Sequence, residues 1–353
     1  MTLDQIIARQ IRANGPITLA EYMTLCLTHP EHGFYITRDP FGAAGDFTTA
    51  PEISQMFGEL LGLAMAQNWL DAGQPERVIL AELGPGRGTL MADLLRAAKS
   101  VPGFHAAVEV HLVETSDLLR QRQTQTIGLP VTHHDQVETV PRGAPLYLVA
   151  NEFFDALPIR QFQRDPNGWR ERLVGVTDNG LGFGLSEPMR PEVLDHRLDD
   201  TETGDIVEVS QAAHRIASEI GAHIASDGGL ALIVDYGDWH SLGDTFQALH
   251  QHAPVSPFAS PGGADLTAHV DFESLATSAA PALHSRLTPQ GVFLERLGIV
   301  ARTEALATKL DGQQLDNHRA AYHRLTQPSE MGTLFKVLAL YPEGAPLPPG
   351  FAP

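Results

Sequence analysis

Apolar residues near the start of the chain fall at Leu3, Ile6, Ile7 and Ile11, a helical spacing. The pattern predicts an amphipathic helix stopped by Asn14-Gly15-Pro16. Thr18 opens a second helix, with Glu21 three residues on as a capping box, and the helix is expected to run to about Thr28, before Pro30. From His32 to Ser54 the periodicity lapses into a glycine-rich stretch too long for a plain connector, the mark of a functional or a mobile loop. A further helix is expected from about Pro51 to Ala72, with Met56, Leu60, Leu63 and Leu70 as its apolar positions and Gly73 closing it.

Beyond Gly73 the pattern becomes an alternation of short apolar runs and amphipathic segments. Arg77 to Leu83, Val108 to Glu114, Leu129 to Thr132, Pro145 to Asn151 and Leu230 to Gly237 read as strands. Thr89 to Lys99, Ser116 to Thr126 and Gly204 to Ser226 read as helices. Continuous apolar strands separated by helices imply a parallel sheet covered on both faces, hence a doubly wound, Rossmann-like α/β core. Gln161 to Asp205 interrupts the alternation as a hairpin-bearing insertion, and Trp239 to Pro289 as a Pro-, Gly- and His-rich region whose Asp265 to Phe272 leads into a helix through about Ala280. Thr333 to Tyr341 is a last strand. The expected division is 1–75 as an N-terminal helical region with the loop, 76–160 as the Rossmann-like core, 161–205 as the insertion, and 206–353 as the remainder.

Composition narrows the partners. With 24 basic against 43 acidic residues the formal charge is -19, a field that repels a phosphate backbone, and no basic run offsets it. Nucleic acid is therefore not expected, and a basic protein partner suits the field better; a homodimer is compatible with the sequence. No apolar run approaches the ~20 residues that span a bilayer. The single Cys26 allows no internal disulfide, which fits a reducing compartment. Among the 16 histidines no paired spacing suggests a metal, the tightest group being His133-His134-Asp135.

The sharpest local feature is Ala81 to Leu90, where a strand ending in Glu82-Leu83 meets Gly84, Gly86 and Gly88 and then a helix. Glycines permit a sharp turn and close approach of a ligand to the backbone. The spacing differs from the dinucleotide fingerprint, whose third glycine comes one residue later. Glu82 would repel a pyrophosphate and attract the ammonium and sulfonium of S-adenosylmethionine. Glu114, at the end of the second strand, suits ribose hydroxyls, and Asp135, after the third, could accept from an adenine amino group. The fourth strand runs out into Asn151, Glu152 and Asp155 beside Phe153 and Phe154, at the strand ends where ligands sit in open α/β sheets. Two readings stand together there: carboxylates and aromatics receiving a cation, and Asn151 capping a helix with Glu152 and Asp155 in its first turn.

Together, HGFYITRDPFGAAGDFTTAPEISQMFGE, ELGPGRGT, VETS, NEFFDALP, VDYG, DLTAHVDF and MGTLFKVL resemble the MidA-like methyltransferases, bacterial and mitochondrial relatives of the complex I assembly methyltransferase. The resemblance runs from about Gly15 to Tyr341. It implies a class I methyltransferase fold with a smaller helical part, S-adenosylmethionine as methyl donor, and methylation of an arginine in a protein such as a respiratory complex I subunit. It also implies that Gly84, Gly86 and Gly88 form the cofactor loop, that Glu114 holds the ribose, and that Asp46, Thr48, Thr49 and Glu52 lie on a loop covering the site. The expected location is the cytoplasm for a bacterial protein and the mitochondrial matrix for a eukaryotic one. On the residues, Glu152 is the expected guanidinium-gripping and proton-accepting group, with Asp155 in support. The rivals are a nicotinamide-dependent dehydrogenase, against which the glycine spacing and Glu82 argue, a non-catalytic assembly chaperone, and a small-molecule methyltransferase.

Overall fold

The structure is a computed structural model that describes residues 1–37, 49–251 and 253–353. Its centre is a sheet in the order Leu283–His284, Phe335–Tyr341, Gly229–Asp238, Leu146–Asn151, Val78–Leu83, Val108–Val113, Val131–His134. The last five run parallel, and Phe335–Tyr341 pairs antiparallel with Gly229–Asp238. Every residue of Val78–Leu83 and of Leu146–Asn151 is buried, as expected of strands covered on both faces. Alternate residues serve opposite cores: Val78 and Leu80 pack with Tyr147 and Val149 under the helices Gln55–Asp71 and Thr89–Ala98, whereas Ile79 and Ala81 pack with Leu146 and Leu148 under Gln211–Asp227. The chain leaves Val78–Leu83 toward one side of the sheet and Leu146–Asn151 lies on the other, so the order reverses there and opens a crevice at the carboxyl ends.

The expected N-terminal helices are present as Leu3–Asn14 and Leu19–Thr28, and Thr18 and Glu21 bond reciprocally as a capping box. The expected helix from Pro51 is two pieces, Ala50–Ile53 and Gln55–Asp71. Ser54 stands between them in extended conformation, and its hydroxyl accepts from the Met56 N–H, so the second piece has its own cap. Leu63 is exposed rather than in the core. Gln55–Asp71 lies so close to Thr89–Ala98 that a Cβ at Gly62 would come within 2.5 Å of the Leu94 carbonyl oxygen.

Other boundaries move for local reasons. The third parallel strand is Val131–His134, not Leu129–Thr132, because Pro130 has no N–H for the ladder. The segment expected to be helical from Gly204 begins instead with the strand Ile206–Val209, paired with Arg160–Gln163, and its helix starts after the Ser210 cap. The last strand is preceded by a helical turn, Met331–Leu334. Three helices, Gln290–Arg296, Ile299–Ala307 and Gly312–Thr326, fill a stretch for which the sequence pattern raised no expectation.

The insertion and the residues flanking it build a second sheet from Arg160–Asp165, Gly168–Thr177, Gly180–Leu185 and Ile206–Val209. Ile17–Thr18 joins it by pairing with Leu173 and Val174, so the N-terminal region and the insertion share one sheet. Leu3, Ile7, Ile11, Tyr22 and Met23 pack with Ile159, Val174 and Leu266 in a separate core. This second layer faces the crevice and supplies one of its walls.

Candidate active site

The crevice holds a cavity of about 380 Å³ whose walls come from both layers. Gly84, Glu114 and Asp135 line it from three successive strand ends; Glu152 and Asp155 line it from the fourth; Thr24, Thr28 and Tyr35 line it from the N-terminal layer. A larger open groove of about 1400 Å³ lies between the first helix and the Val176–Leu181 hairpin, away from the strand ends and from all of these carboxylates.

Gly84, Gly86 and Gly88 all take positive φ, at 58°, 52° and 82°. An added Cβ at Gly84 would sit 2.8 Å from the Phe153 ring, so the turn is a cradle that side chains would fill. The Gly84 N–H is bonded to the Val113 carbonyl at 3.0 Å. The Gly86 carbonyl accepts from Gln123 Nε2 at 2.9 Å. That fully buried amide also donates to Glu114 Oε2 at 3.2 Å, and its oxygen faces His133 Nε2 at 3.0 Å. Gln123 thus sets the spacing between the glycine turn and Glu114. Sequence reasoning missed it, because a glutamine inside a polar helix carries no motif.

Glu114 Oε1 accepts from the Ser116 N–H at 2.8 Å, and burial raises its carboxyl above the usual range. Asp135 lines the same end of the cavity and pairs with Arg120, whose Nε also donates to the Glu114 carbonyl at 2.8 Å. Glu82 lies outside the main cavity, in a small side pocket beneath the glycine turn shared with Glu52, Asn151 and Glu152. Burial pushes Glu82 up to about 8, and its Oε2 has no partner among the described residues. By itself it is therefore mostly protonated at neutral pH. The attraction argued from its charge arises only when a cation beside it draws the proton off.

No helix follows the fourth strand; residues 152–158 form an irregular turn, so the helix-capping reading of Asn151 does not hold. Asp235 holds this turn instead. The parallel register sets Val234 beside Asn151, so the next residue reaches past the strand end. Its Oδ2 accepts from the N–H groups of Phe153, Phe154 and Asp155 at 3.2, 3.0 and 3.2 Å, and Oδ1 from Tyr236 at 2.9 Å. Burial and the neighbouring Asp155 and Glu152 charges push Asp235 upward against those donors. Glu152 has φ 52°, a left-handed conformation costly for a residue with a Cβ. Its Oε1 accepts from the Ala50 N–H at 2.9 Å and from Asn151 Nδ2 at 3.2 Å, leaving Oε2 without a partner among the described residues. Asn151 is buried and its Oδ1 is unpaired among the described residues. Enclosure and the Asp155 charge raise Glu152 to about 7; burial raises Asp155 to about 6.

Of the residues expected on the covering loop, Asp46 and Thr48 lie outside the described residues. Thr49 lines the cavity. Glu52 accepts from Thr89 Oγ1 at 2.6 Å, at the start of the helix after the glycine turn. The turn Ala50–Ile53 is thereby clasped at two points, Glu152 and Thr89. Tyr35, Tyr236, Asp265 and Thr267 also line the cavity, and the sequence reading had assigned none of them a role. The strand-end glycines, the Glu114 carboxylate, the apolar Leu119 and Val137 and the unpaired Glu82 and Asn151 oxygens fit a nucleoside linked to a cationic amino-acid tail. Among the described residues no group of three or more His, Cys, Asp or Glu could hold a metal ion.

Residues 60–289 match a family described as "putative S-adenosyl-L-methionine-dependent methyltransferase". The chain is 40% identical over 364 residues to the protein arginine methyltransferase NDUFAF7, mitochondrial, of Danio rerio, covering 95% of this chain and 85% of that one. The human protein of the same name is 37% identical, covering 94% and 82%. A crystal structure from Burkholderia thailandensis with S-adenosyl-homocysteine bound superposes with a TM-score of 0.84 at 28% identity, covering 99% of this chain and 93% of the other. A native crystal structure from the same organism gives 0.82 at 29% identity, covering 99% and 94%.

Proposed function

Since the chain belongs to the S-adenosylmethionine-dependent methyltransferase family, we propose that the acceptor it methylates is an arginine side chain of a protein. The observation that carries this reading is one cavity that joins the glycine turn to the paired carboxylates Glu152 and Asp155. Similarity to proteins named protein arginine methyltransferases supports it. From the sequence resemblance we take the acceptor protein to be a respiratory complex I subunit or its bacterial equivalent. The relatives are named mitochondrial, and among the described residues no helix is long and apolar enough to cross a membrane.

S-adenosylmethionine, when bound, supplies a methyl carbon made electrophilic by its sulfonium. Gly84, Gly86 and Glu114 would hold it, with Glu82 and Asn151 beneath its amino-acid end. The rest falls to the chain. A guanidinium is protonated in water up to pH ~12, so its nitrogen must be oriented and must lose a proton as it is methylated. Glu152 and Asp155 grip the planar group and fix its direction. Glu152 Oε2 is the atom that takes the proton, while Oε1 stays bonded to the Ala50 N–H. The N-terminal layer closes the far wall and limits water.

The test is to incubate the protein with methyl-labelled S-adenosylmethionine and lysate from a strain lacking it, and to locate the label by mass spectrometry. Label on an arginine of a protein is expected. Label confined to a small molecule, or to another residue type, would overturn the reading.

A further inference from the structure

The cavity wall carries a further carboxylate, Asp265. Asp265 begins the strand Asp265–Thr267, which pairs with Gln247–Leu249. It is buried, lines the cavity, and accepts from the Tyr35 hydroxyl at 2.7 Å. Tyr35 belongs to the turn Phe34–Thr37 and lines the cavity too. The strand is tied to the Asp155 turn by the Ala268 N–H, which donates to the Asp155 carbonyl at 2.9 Å. Asp155 is itself only 7% exposed, lines the cavity, and has no hydrogen-bond partner at Oδ1 among the described residues. A buried carboxylate oxygen with no donor is costly, and the cost is relieved by a ligand that brings N–H groups to it.

We propose that Asp265, oriented by the Tyr35 hydroxyl, is a specificity-determining carboxylate that receives the guanidinium end of the acceptor together with Asp155. This rests on the arginine reading of the acceptor. A guanidinium presents five N–H donors in one plane, so carboxylates carried on two different elements of the cavity lining can each take an edge of it. An ammonium is a compact point charge and cannot span them in the same way. Tyr35 resists ionisation, because burial and the Asp265 and Asp155 charges hold its pKa well above the usual range. Its hydroxyl therefore stays a donor and keeps Asp265 in one orientation.

The experiment titrates protein saturated with S-adenosylhomocysteine with three probes: ethylguanidinium, butylammonium and neutral N-ethylurea. Ethylguanidinium is expected to bind at least tenfold more tightly than the other two. Asp265→Asn keeps the size and the acceptor for Tyr35, and should weaken ethylguanidinium roughly ten- to a hundredfold with S-adenosylhomocysteine affinity unchanged. If that variant does not bind S-adenosylhomocysteine, Tyr35→Phe carries the test, with a fall of about threefold or more supporting the role and no change overturning it. Unchanged guanidinium affinity in Asp265→Asn, equal binding of N-ethylurea, or no ethylguanidinium binding to the wild type would overturn the proposal. Label landing on a non-arginine acceptor would overturn the arginine reading and, with it, the acceptor role given to Asp265. Label on arginine with Asp265→Asn behaving as wild type would sink the Asp265 role alone.

Discussion

Glu152 is a carboxylate in a left-handed backbone position, with one oxygen engaged and a pKa near neutrality. Glu152→Gln keeps an oxygen for the Ala50 N–H but removes the charge and the proton acceptor. Methyl transfer should fall roughly 10²–10⁴-fold. S-adenosylhomocysteine affinity should be nearly unchanged. Wild-type single-turnover rates should also rise with pH through about 7, as the carboxylate form appears, and the variant should lack that rise. Asp155→Asn should cost less if its part is to orient. Full activity in Glu152→Gln would remove it from the chemistry while leaving the methyltransferase assignment intact.

At the scale of elements, two buried side chains hold the site without standing in its motifs. Gln123 spans the gap between the glycine turn and Glu114, so Gln123→Ala leaves the Gly86 carbonyl unsupported and removes a donor from Glu114. Calorimetry with S-adenosylhomocysteine should show affinity lower by about tenfold, the scale of one lost bond to a charged group; wild-type affinity would show that the turn holds its shape alone. Asp235 fixes the turn from Phe153 to Asp155 through three N–H groups. In Asp235→Asn an amide N–H₂ must replace one accepting oxygen. Denaturant unfolding should register a loss of about 1–3 kcal/mol, with transfer reduced more than cofactor binding. A stability loss with transfer intact would show that the turn is not needed in that form.

For the whole molecule, the buried carboxyls link stability to pH. Glu82, Glu152 and Asp155 sit near 8, 7 and 6, against roughly 4 in an unfolded chain. Between about pH 4 and 8 the folded state therefore holds more protons than the unfolded one, and stability falls as pH rises through that window. Glu82→Gln removes the group with the widest window. Its thermal midpoint should decline less than the wild type's between about pH 5 and 8. Parallel declines would show that Glu82 titrates alike in both states.

The alternation of apolar runs and amphipathic segments was enough to read a doubly wound sheet, because strands covered on both faces have nowhere to place polar side chains. The glycine turn, Glu114 and the residues after the fourth strand were legible for a related reason: chemistry at a strand end is local, and a few consecutive residues carry it. Asp235, Gln123, Tyr35 and Asp265 were not legible as site residues. Each acts across the fold, on a partner 9 to 230 positions away, and no local spacing encodes such a meeting. The three helices of residues 290–326 escaped for the same reason, since they are shaped by the core face they cover. The sequence by itself determined the sheet, the glycine turn and the acidic strand ends, through periodicity and backbone sterics. Only the tertiary structure decided which carboxylates are buried, which oxygens stay unpaired, and that the N-terminal layer closes the cavity, because burial and long-range pairing exist only once the chain has packed.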